Sequence, residues 1–290
     1  MNIGILGSPE GWYAAELQRV AIQRGHQSHV VDFRTLASSI LSPEVTVFSV
    51  GQSLQTMDAL LVRTMPPGSL EQVVYRMDVL QRLESQGVAI LNSPKAIETA
   101  VDKFLSTARI AAAGLPTPRT IVCETADDAM LAFEQLRSDV VVKPLFGSEG
   151  RGILRVSDPD LAYRTFRTLE RLQAVLYLQE FIPHAGYDVR VLVLNGVVLG
   201  AFQRKHPTDF RTNVARNGIA EAYAANDLEE SLALRAATAV GACFAGVDLL
   251  YDPDGNCLVI EVNAVPGWRA FEKITGIEVA PKVIEYLEKR

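Results

Sequence analysis

Strand and helix signals alternate through the first 92 residues, and this rhythm restricts the opening third of the chain to a parallel α/β unit. Residues 3–6 read as a buried strand, 12–24 as a helix stopped by Gly25, and 29–33 as a second strand. A strand over 58–62, a long helix over 70–86 stopped by Gly87, and a strand over 88–91 continue the pattern. The early glycines do not form a dinucleotide turn. Gly4, Gly7 and Gly11 are spaced G-x-x-G-x-x-x-G, whereas that turn needs G-x-G-x-x-G.

At 290 residues the chain exceeds what one hydrophobic core serves, so two or three packed subdomains are expected. Asn92-Ser93-Pro94 marks the first boundary, and the expected units are 1–92, 93–175 and 176–290. The second is a smaller α/β unit. It begins with a helix over 102–113, a Gly114 stop and the stiff connector Pro116-Thr117-Pro118. The third is richer in strands and hairpins and closes with a helix over 281–288. No segment reaches the ~20 apolar residues of a membrane span, and the opening residues, without a basic stretch or cleavage motif, are expected to form a first strand and not a leader. Cys123, Cys243 and Cys257 form no C-x-x-C pair and read as free thiols of a reducing compartment. A cytoplasmic location follows as the expectation. The net charge of -6 argues against a general nucleic-acid binder, which needs a basic footprint.

The chemistry-bearing segments lie beyond residue 100. Val140-Val141-Val142-Lys143-Pro144 sets a lysine at the end of a buried strand, where an ammonium calls for an anion. The following Gly147-Ser148-Glu149-Gly150-Arg151-Gly152 loop frees backbone N–H groups to cradle phosphate. It is no Walker A loop, and the H-R-D and D-F-G signatures of protein kinases are absent. Tyr177-Leu178-Gln179-Glu180-Phe181-Ile182 could line an adenine slot. If Asn195-Gly196 is a two-residue turn, Arg190 faces Ala201. Asp188, Arg190, Gln203 and Lys205 then share one face, with Arg204 on the other.

The strongest constellation is carboxylate-based. With Asp252 paired to Cys257 across a four-residue turn, Asp248 lies opposite Glu261, and Asn263 falls on the same face. Facing carboxylates repel, so a cation between them is expected, and oxygen ligands favour Mg²⁺ or Mn²⁺. Between 190 and 216 stand five basic residues against one acidic, +4 inside a chain of -6. Such a cluster suits phosphoryl and carboxylate groups. The four histidines form no triad with a nucleophile.

The order of these motifs resembles the ATP-grasp carboxylate–amine ligases, and most closely the RimK-like α-L-glutamate ligases. Lys103 before Gly-Leu-Pro-Thr-Pro, V-V-V-K-P, G-S-E-G-R-G-I, Q-E-F-I, D-V-R, R-T-N, G-V-D-L-L and V-I-E-V-N carry the resemblance, which spans nearly the whole chain. It implies an α/β chain with α+β subdomains: a parallel N-terminal domain, a central ATP lid and a C-terminal mixed-sheet domain. By the resemblance, Lys103 and Lys143 meet the ATP phosphates. The loop carrying Gly147, Ser148, Gly150, Arg151 and Gly152 closes over them. Glu180 and Phe181 meet adenine through their backbone, Asp188 lies near the ribose, and Arg211, Thr212 and Asn213 match a nucleotide-binding R-S-N-like segment. Asp248, Glu261 and Asn263 hold two Mg²⁺ (or Mn²⁺) ions. Arg190 and Arg204 fall where the substrate carboxylate or transferred phosphate would sit, and Arg211 joins them as a catalytic cation.

The implied reaction activates a carboxylate as an acyl phosphate, which an amine, glutamate's by resemblance, converts to an amide. After Asn263 the run Ala264-Val265-Pro266-Gly267-Trp268-Arg269 departs from members that modify ribosomal proteins. That run, Arg63-Thr64-Met65-Pro66-Pro67 and Ser8-Pro9-Glu10-Gly11-Trp12 are similar to homologues linked to pterin cofactors, so a small-molecule carboxylate is the expected partner. Arg63, at a strand's C-terminal end, could bind its carboxylate. Trp268 could stack on a flat ring or serve the core. Alternatives are a ligase acting on a protein C-terminus, an ATP-grasp kinase, or a non-catalytic nucleotide sensor. A homo-oligomer, dimer or tetramer, is compatible with the sequence.

Overall fold

The computed structural model describes residues 1–147, 150–206, 209–212 and 218–290. Ser148 and Asn213, both expected at the nucleotide, lie outside the described residues. In chain order the first elements are β1 (Asn2–Leu6), α1 (Trp12–Gln23), β2 (Gln27–Val31), β3 (Leu36–Leu41), β4 (Glu44–Ser49), β5 (Gln52–Ser53), β6 (Ala59–Val62), α2 (Leu70–Ser85) and β7 (Ala89–Leu91). Strands β2-β1-β6-β7 form the parallel sheet that the rhythm predicts. A parallel sheet is covered on both faces, so its strands are apolar at successive positions. Ile3, Ile5, Ala59 and Leu61 pack on α1, while Leu6, Leu60 and Val62 turn to the cluster holding Met77, Leu80 and Leu83 of α2. The patterning does not announce the small antiparallel sheet β3-β4-β5, whose half-exposed strands carry little alternation.

Next come α3 (Pro94–Val101), α4 (Lys103–Ala112), β8 (Thr120–Cys123), α5 (Ala126–Gln135), β9 (Val140–Lys143), β10 (Leu154–Val156), α6 (Pro159–Arg171) and β11 (Leu176–Glu180). Strands β10-β9-β11-β8 form an antiparallel sheet. One face, with Val140, Val142, Leu176 and Leu178, is buried against Phe133 of α5 and Phe166 of α6. Helices α3 and α4 fall within the expected central unit, yet they pack elsewhere. Ala96, Ile97 and Ile110 join the core beneath the C-terminal sheet, because that is where their apolar stripes find cover.

The last elements are β12 (Tyr187–Leu194), β13 (Val197–Lys205), β14 (Ile219–Tyr223), α7 (Asp227–Val240), β15 (Phe244–Tyr251), β16 (Cys257–Asn263), α8 (Arg269–Thr275) and α9 (Val279–Glu288). Their sheet order is β14-β13-β12-β15-β16, and every pairing described is antiparallel where a mixed sheet was expected. Val189, Val191, Val193, Val247 and Leu249 point to the large core under α7. On the opposite face Leu192, Leu194, Phe202 and Phe244 pack with Trp268, Phe271 and α9. Farther along the same strands that face becomes charged.

Two β-bulges set the register. In the β12–β13 hairpin Leu194 opposes Val197 as expected, but the pairing shifts between Leu192 and Val193, so that Arg190 opposes Phe202 and Asp188 opposes Arg204. The expected faces are therefore corrected: Arg204 joins Asp188 and Arg190, while Gln203 and Lys205 turn away. The extra residue reverses the alternation beyond it. Gly200, beside the shift, has φ +149°, and the Phe271 ring lies 3.1 Å from where its Cβ would stand. In the second hairpin Tyr251, not Asp252, opposes Cys257, and a shift between Asp248 and Leu249 brings Asp248 opposite Glu261. The turn reading was one residue off, and the bulge restores the carboxylate pair.

Helix α7, absent from the sequence reading, is anchored by a buried carboxylate. Glu229 accepts from Tyr223 Oη (2.9 Å), Tyr251 Oη (3.0 Å) and the Asn226 backbone N–H (2.8 Å). Burial, then this carboxylate, pushes the Tyr223 hydroxyl up to about 12. Glu229→Ala is expected to cost about 3 kcal/mol in urea unfolding, since stranded donors lose about 1–3 kcal/mol each. A loss below about 1 kcal/mol would show the network to be dispensable. Among the described residues no helix is long and apolar enough to cross a membrane.

Candidate functional site

Between the lid sheet and the charged face of the C-terminal sheet lies a cleft of about 920 Å³, including its open mouth. Its walls include Lys103, Lys143, Gly147, Gly150 and Arg151 from the lid side, and Asp188, Arg204, Asp248 and Glu261 from the C-terminal sheet. Glu180, Phe181, Arg211 and Thr212 also line it. The structure thus brings together most of the residues that the resemblance assigns to ATP. Gly152, just past the lining, has φ +72° in the same loop.

The two lysines approach from different elements. Lys103 opens α4 and donates through Nζ to Gly147 O (2.8 Å), joining the helix to the glycine loop. Lys143 ends β9 and donates to Gln179 Oε1 (2.6 Å). Burial pushes the Lys143 ammonium down to about 8; Glu261 and Asp248 oppose that shift, and Lys103 adds to it.

Four charged side chains run across the neighbouring sheet face. Arg204, buried, grips Asp188 through Nε (2.7 Å) and Nη2, and its Nη2 stands 3.0 Å from Asp248. Arg190 forks onto Asp248, with both contacts 2.6 Å. Burial opposes charge at Arg204, but Asp188 and Asp248 outweigh it and hold the guanidinium firmly protonated. Burial likewise disfavours the Asp248 carboxylate, yet Arg190 and Arg204 hold its pKa below 3.8. Asp248 is thus paired with two guanidinium groups.

Glu261 is different. It is half-buried in the cleft wall, and its carboxylate has no hydrogen bond or ion pair among the described residues. Asn263, on the same strand face, donates weakly through Nδ2 to Gly246 O (3.4 Å), leaving Oδ1 for a ligand. Carboxylate, carboxylate and amide oxygen form a donor set that fits a hard divalent cation. The third member being an amide, no cluster of three or more His, Cys, Asp or Glu occurs among the described residues.

The hinge departs from the expectation in detail. The Phe181 N–H donates to Asp139 O (2.9 Å), and Glu180 N–H to Arg119 O (2.8 Å), so neither is free for a purine edge. Arg155 covers the Phe181 ring, 3.5 Å from its centroid. Arg211 is held by Asp209 and donates to Ile153 O (3.2 Å), linking the 209–212 segment to the lid. Sequence reasoning gave His184 no role at the site and named Gln179 only within a segment that could line an adenine slot; both stand in the cleft wall. His184 Nδ1 accepts from Gly186 N–H (3.2 Å) and Nε2 donates to Phe210 O (3.1 Å), an arrangement that requires the neutral ring. Period-2 alternation from Tyr177 would have found Gln179; His184 sits in a loop and carries no such signal.

Arg63 and Trp268 lie elsewhere, and this corrects their expected part in substrate binding. Trp268 is fully buried, with Tyr13 at 4.8 Å and Phe244 at 5.6 Å between ring centroids, so neither face is open to a ligand ring. Arg63 stacks 4.2 Å from the Trp268 ring and donates to Pro266 O (2.7 Å). Burial pushes it down to about 9, still charged at neutral pH. Together they tie the end of β6 to the turn after Asn263. Asn92 reinforces the junction by donating to Phe244 O (2.6 Å) and Ala264 O (2.5 Å).

Comparison with known proteins gives a consistent picture. Residues 100–287 match the RimK-like ATP-grasp domain, and residues 1–97 the RimK PreATP-grasp domain. The tetrahydromethanopterin:alpha-L-glutamate ligase of Methanosarcina acetivorans is 33% identical, covering 99% of this chain and 98% of that protein. A probable alpha-L-glutamate ligase of Serratia proteamaculans is 34% identical over 100% of this chain and 96% of its own length. Among solved structures, the ATP-grasp ligase PsnB in complex with a minimal precursor superposes with TM-score 0.78 at 25% identity, covering 99% of this chain and 98% of that one. A RimK domain ATP-grasp protein from Sphaerobacter thermophilus shares the fold with TM-score 0.77 at 24% identity, covering 99% of each chain.

Proposed function

Because the chain belongs to the RimK-like ATP-grasp family, as an ATP-dependent ligase, we propose that it joins L-glutamate through its amine to the carboxylate of a small, pterin-type acid. The observation that carries this reading is the cleft itself. Lys103 and Lys143 face Asp248, Glu261 and Arg204 across one space of nucleotide size. The pterin-type acceptor is supported by full-length similarity to the tetrahydromethanopterin-specific relative.

Lys103 and Lys143 orient the polyphosphate of ATP, with Gly147, Gly150 and Arg151 lining the same space. The carboxylate of the acid attacks the γ-phosphorus; an O–P bond forms, the bond to ADP breaks, and an acyl phosphate results. Arg204, which lines the cleft and is held protonated by Asp188 and Asp248, and Arg190 beside it suit the charge that develops on the transferred phosphoryl group and the carbonyl oxygen. The glutamate amine then forms the C–N bond as inorganic phosphate leaves, and the amine's proton passes to phosphate or solvent. Asp248, Glu261 and Asn263 would hold two Mg²⁺ ions, which when bound neutralise phosphate charge.

A screen of phosphate release for amino acids against carboxylic acids, pterins included, tests the reading. The expected result is release only with glutamate plus an acid, with a product heavier by one glutamyl residue. A phosphorylated hydroxyl with no amide would replace this reaction by phosphotransfer, and phosphate release without an amide would mean hydrolysis of ATP uncoupled from the joining of glutamate.

The Lys143 ammonium sets the pH response. A lysine with a depressed pKa is fully charged below that value, so nucleotide affinity should hold on the acid side and fall as pH rises through about 8. Calorimetric titration with a non-hydrolysable ATP analogue and Mg²⁺ would show it. Lys143→Arg, charged throughout, should flatten the alkaline limb. An alkaline decline of equal size in Lys143→Arg removes this lysine as its cause.

A further inference from the structure

The lid sheet is two-faced. Its apolar face packs on α5 and α6, and its other face carries a chain of polar groups that ends at Lys143. Tyr177 opposes Lys143 across β11 and β9, and Gln179 opposes Thr120 across β11 and β8, so period-2 alternation places all four side chains together. Gln179, 3% exposed, accepts from Lys143 Nζ through Oε1 (2.6 Å). Its Nε2 donates to Thr120 Oγ1 (3.0 Å) and reaches Tyr177 Oη (3.4 Å). Thr120 Oγ1 in turn donates to Pro118 O (3.0 Å). Tyr177 Oη contacts Thr107 Oγ1 (2.8 Å), four residues beyond Lys103 on α4.

This arrangement permits one orientation of the amide. An ammonium has three donors and no acceptor, so the Gln179 oxygen must face Lys143. With its hydroxyl hydrogen committed to Pro118 O, Thr120 can only accept from the amide nitrogen. Both ends of Gln179 are therefore occupied, and the side chain cannot flip without losing both contacts.

We propose that Gln179 is the positioning residue for Lys143, holding the ammonium at the cleft by a single neutral acceptor. The role rests on the reading of Lys143 as a phosphate-binding lysine. A neutral amide fits the task in a way that a carboxylate does not. It stabilises the buried ammonium through one N–H and leaves two for phosphate oxygens, whereas a carboxylate at this distance would compete with phosphate for the charge. The Thr107 contact extends the chain to the helix that presents Lys103, so both lysines share one buried support.

The test is a pH titration of Lys143 in the nucleotide-free full-length chain, followed by ¹³Cε-lysine NMR with Lys143→Arg for assignment. The charged groups acting on Lys143 are Lys103 from α4, Asp248 from β15 and Glu261 from β16, and none is altered. Gln179→Met, which removes the acceptor, is expected to lower the midpoint by about one pH unit, and Gln179→Glu to raise it by as much. Both should weaken binding of the non-hydrolysable analogue by about tenfold or more, the worth of one hydrogen bond to a charged group.

A purely structural role would not move the midpoints in opposite directions. Thr120→Val, on an edge strand, frees the far end of the amide and should lower the midpoint as Gln179→Met does, should the latter fail to fold. Midpoints unmoved in the variants, or moved in one direction by both Gln179 variants, would overturn the proposal. If the wild-type chain bound no nucleotide, the functional reading would fall, while the titration would still decide whether Gln179 positions Lys143.

Discussion

Glu261→Gln is expected to leave the fold intact and reduce amide formation by at least about 10²-fold, the scale of losing one preorganised electrostatic contact in a transition state. The Glu261 carboxylate has no hydrogen bond or ion pair among the described residues, so its neutral isostere strands no donor and thermal unfolding should change little, with Lys143 losing one of the charges that favour its ammonium. What the substitution removes is negative charge at the cleft wall, opposite Asp248 and two strand positions from Asn263. Activity should recover in part at high Mg²⁺ if the carboxylate is a metal ligand, because a weakened site is refilled by mass action. Turnover of the variant at the wild-type rate under limiting Mg²⁺ would remove Glu261 from the metal site. Retained turnover at every Mg²⁺ concentration would also count against the placement of the reaction in this cleft.

Arg204→Met is expected to be the most destabilising single change at the site, by about 3–5 kcal/mol, the usual cost of breaking one side of a buried ion pair. Arg204 is 3% exposed and serves two carboxylates, Asp188 and Asp248. Its loss leaves Asp188 without its fork and Asp248 with Arg190 alone. Arg204→Lys retains the charge but not the planar fork, so an intermediate loss is expected. The same network sets acid behaviour. Asp248 is held below its ordinary 3.8, so its contribution is present above that value and is lost as pH falls through the lower folded-state value. Denaturant unfolding of wild type, Arg204→Lys and Arg204→Met at neutral and acid pH would check both statements. A loss under about 1 kcal/mol for Arg204→Met, the range of an exposed pair, would mean that water already reaches the network.

Much of the architecture is legible in the residues. The parallel N-terminal sheet follows from apolar strands punctuated by helices with glycine stops, and α2 ends within one residue of its expected bound. Amphipathic helices that pack across units are harder to read. Helices α3 and α7 do not stand out in the pattern, and the sequence does not say which sheet an apolar stripe will cover. The lysines, glycine loop and carboxylates of the cleft are likewise legible, because each is unusual for its local setting. Arg155 is not, since an arginine on a sheet edge acquires a role only from what faces it, and alternation marks the face on which Gln179 lies but not its partner Lys143.

The chain's own residues determined the α/β class, the family resemblance and the presence of phosphate-seeking lysines beside paired carboxylates. Tertiary structure alone decided which side chains share a face. A β-bulge reverses every alternation beyond it, and its position depends on packing such as that of Phe271 against Gly200. One bulge carries Arg204 from the far face into contact with Asp188 and Asp248; another compensates a turn longer than expected and keeps Asp248 opposite Glu261. Burial was decided there too. Arg63 and Trp268 look like ligand contacts in sequence, but they are buried where the end of β6, α1 and the C-terminal sheet meet, and removal of water leaves them a structural part.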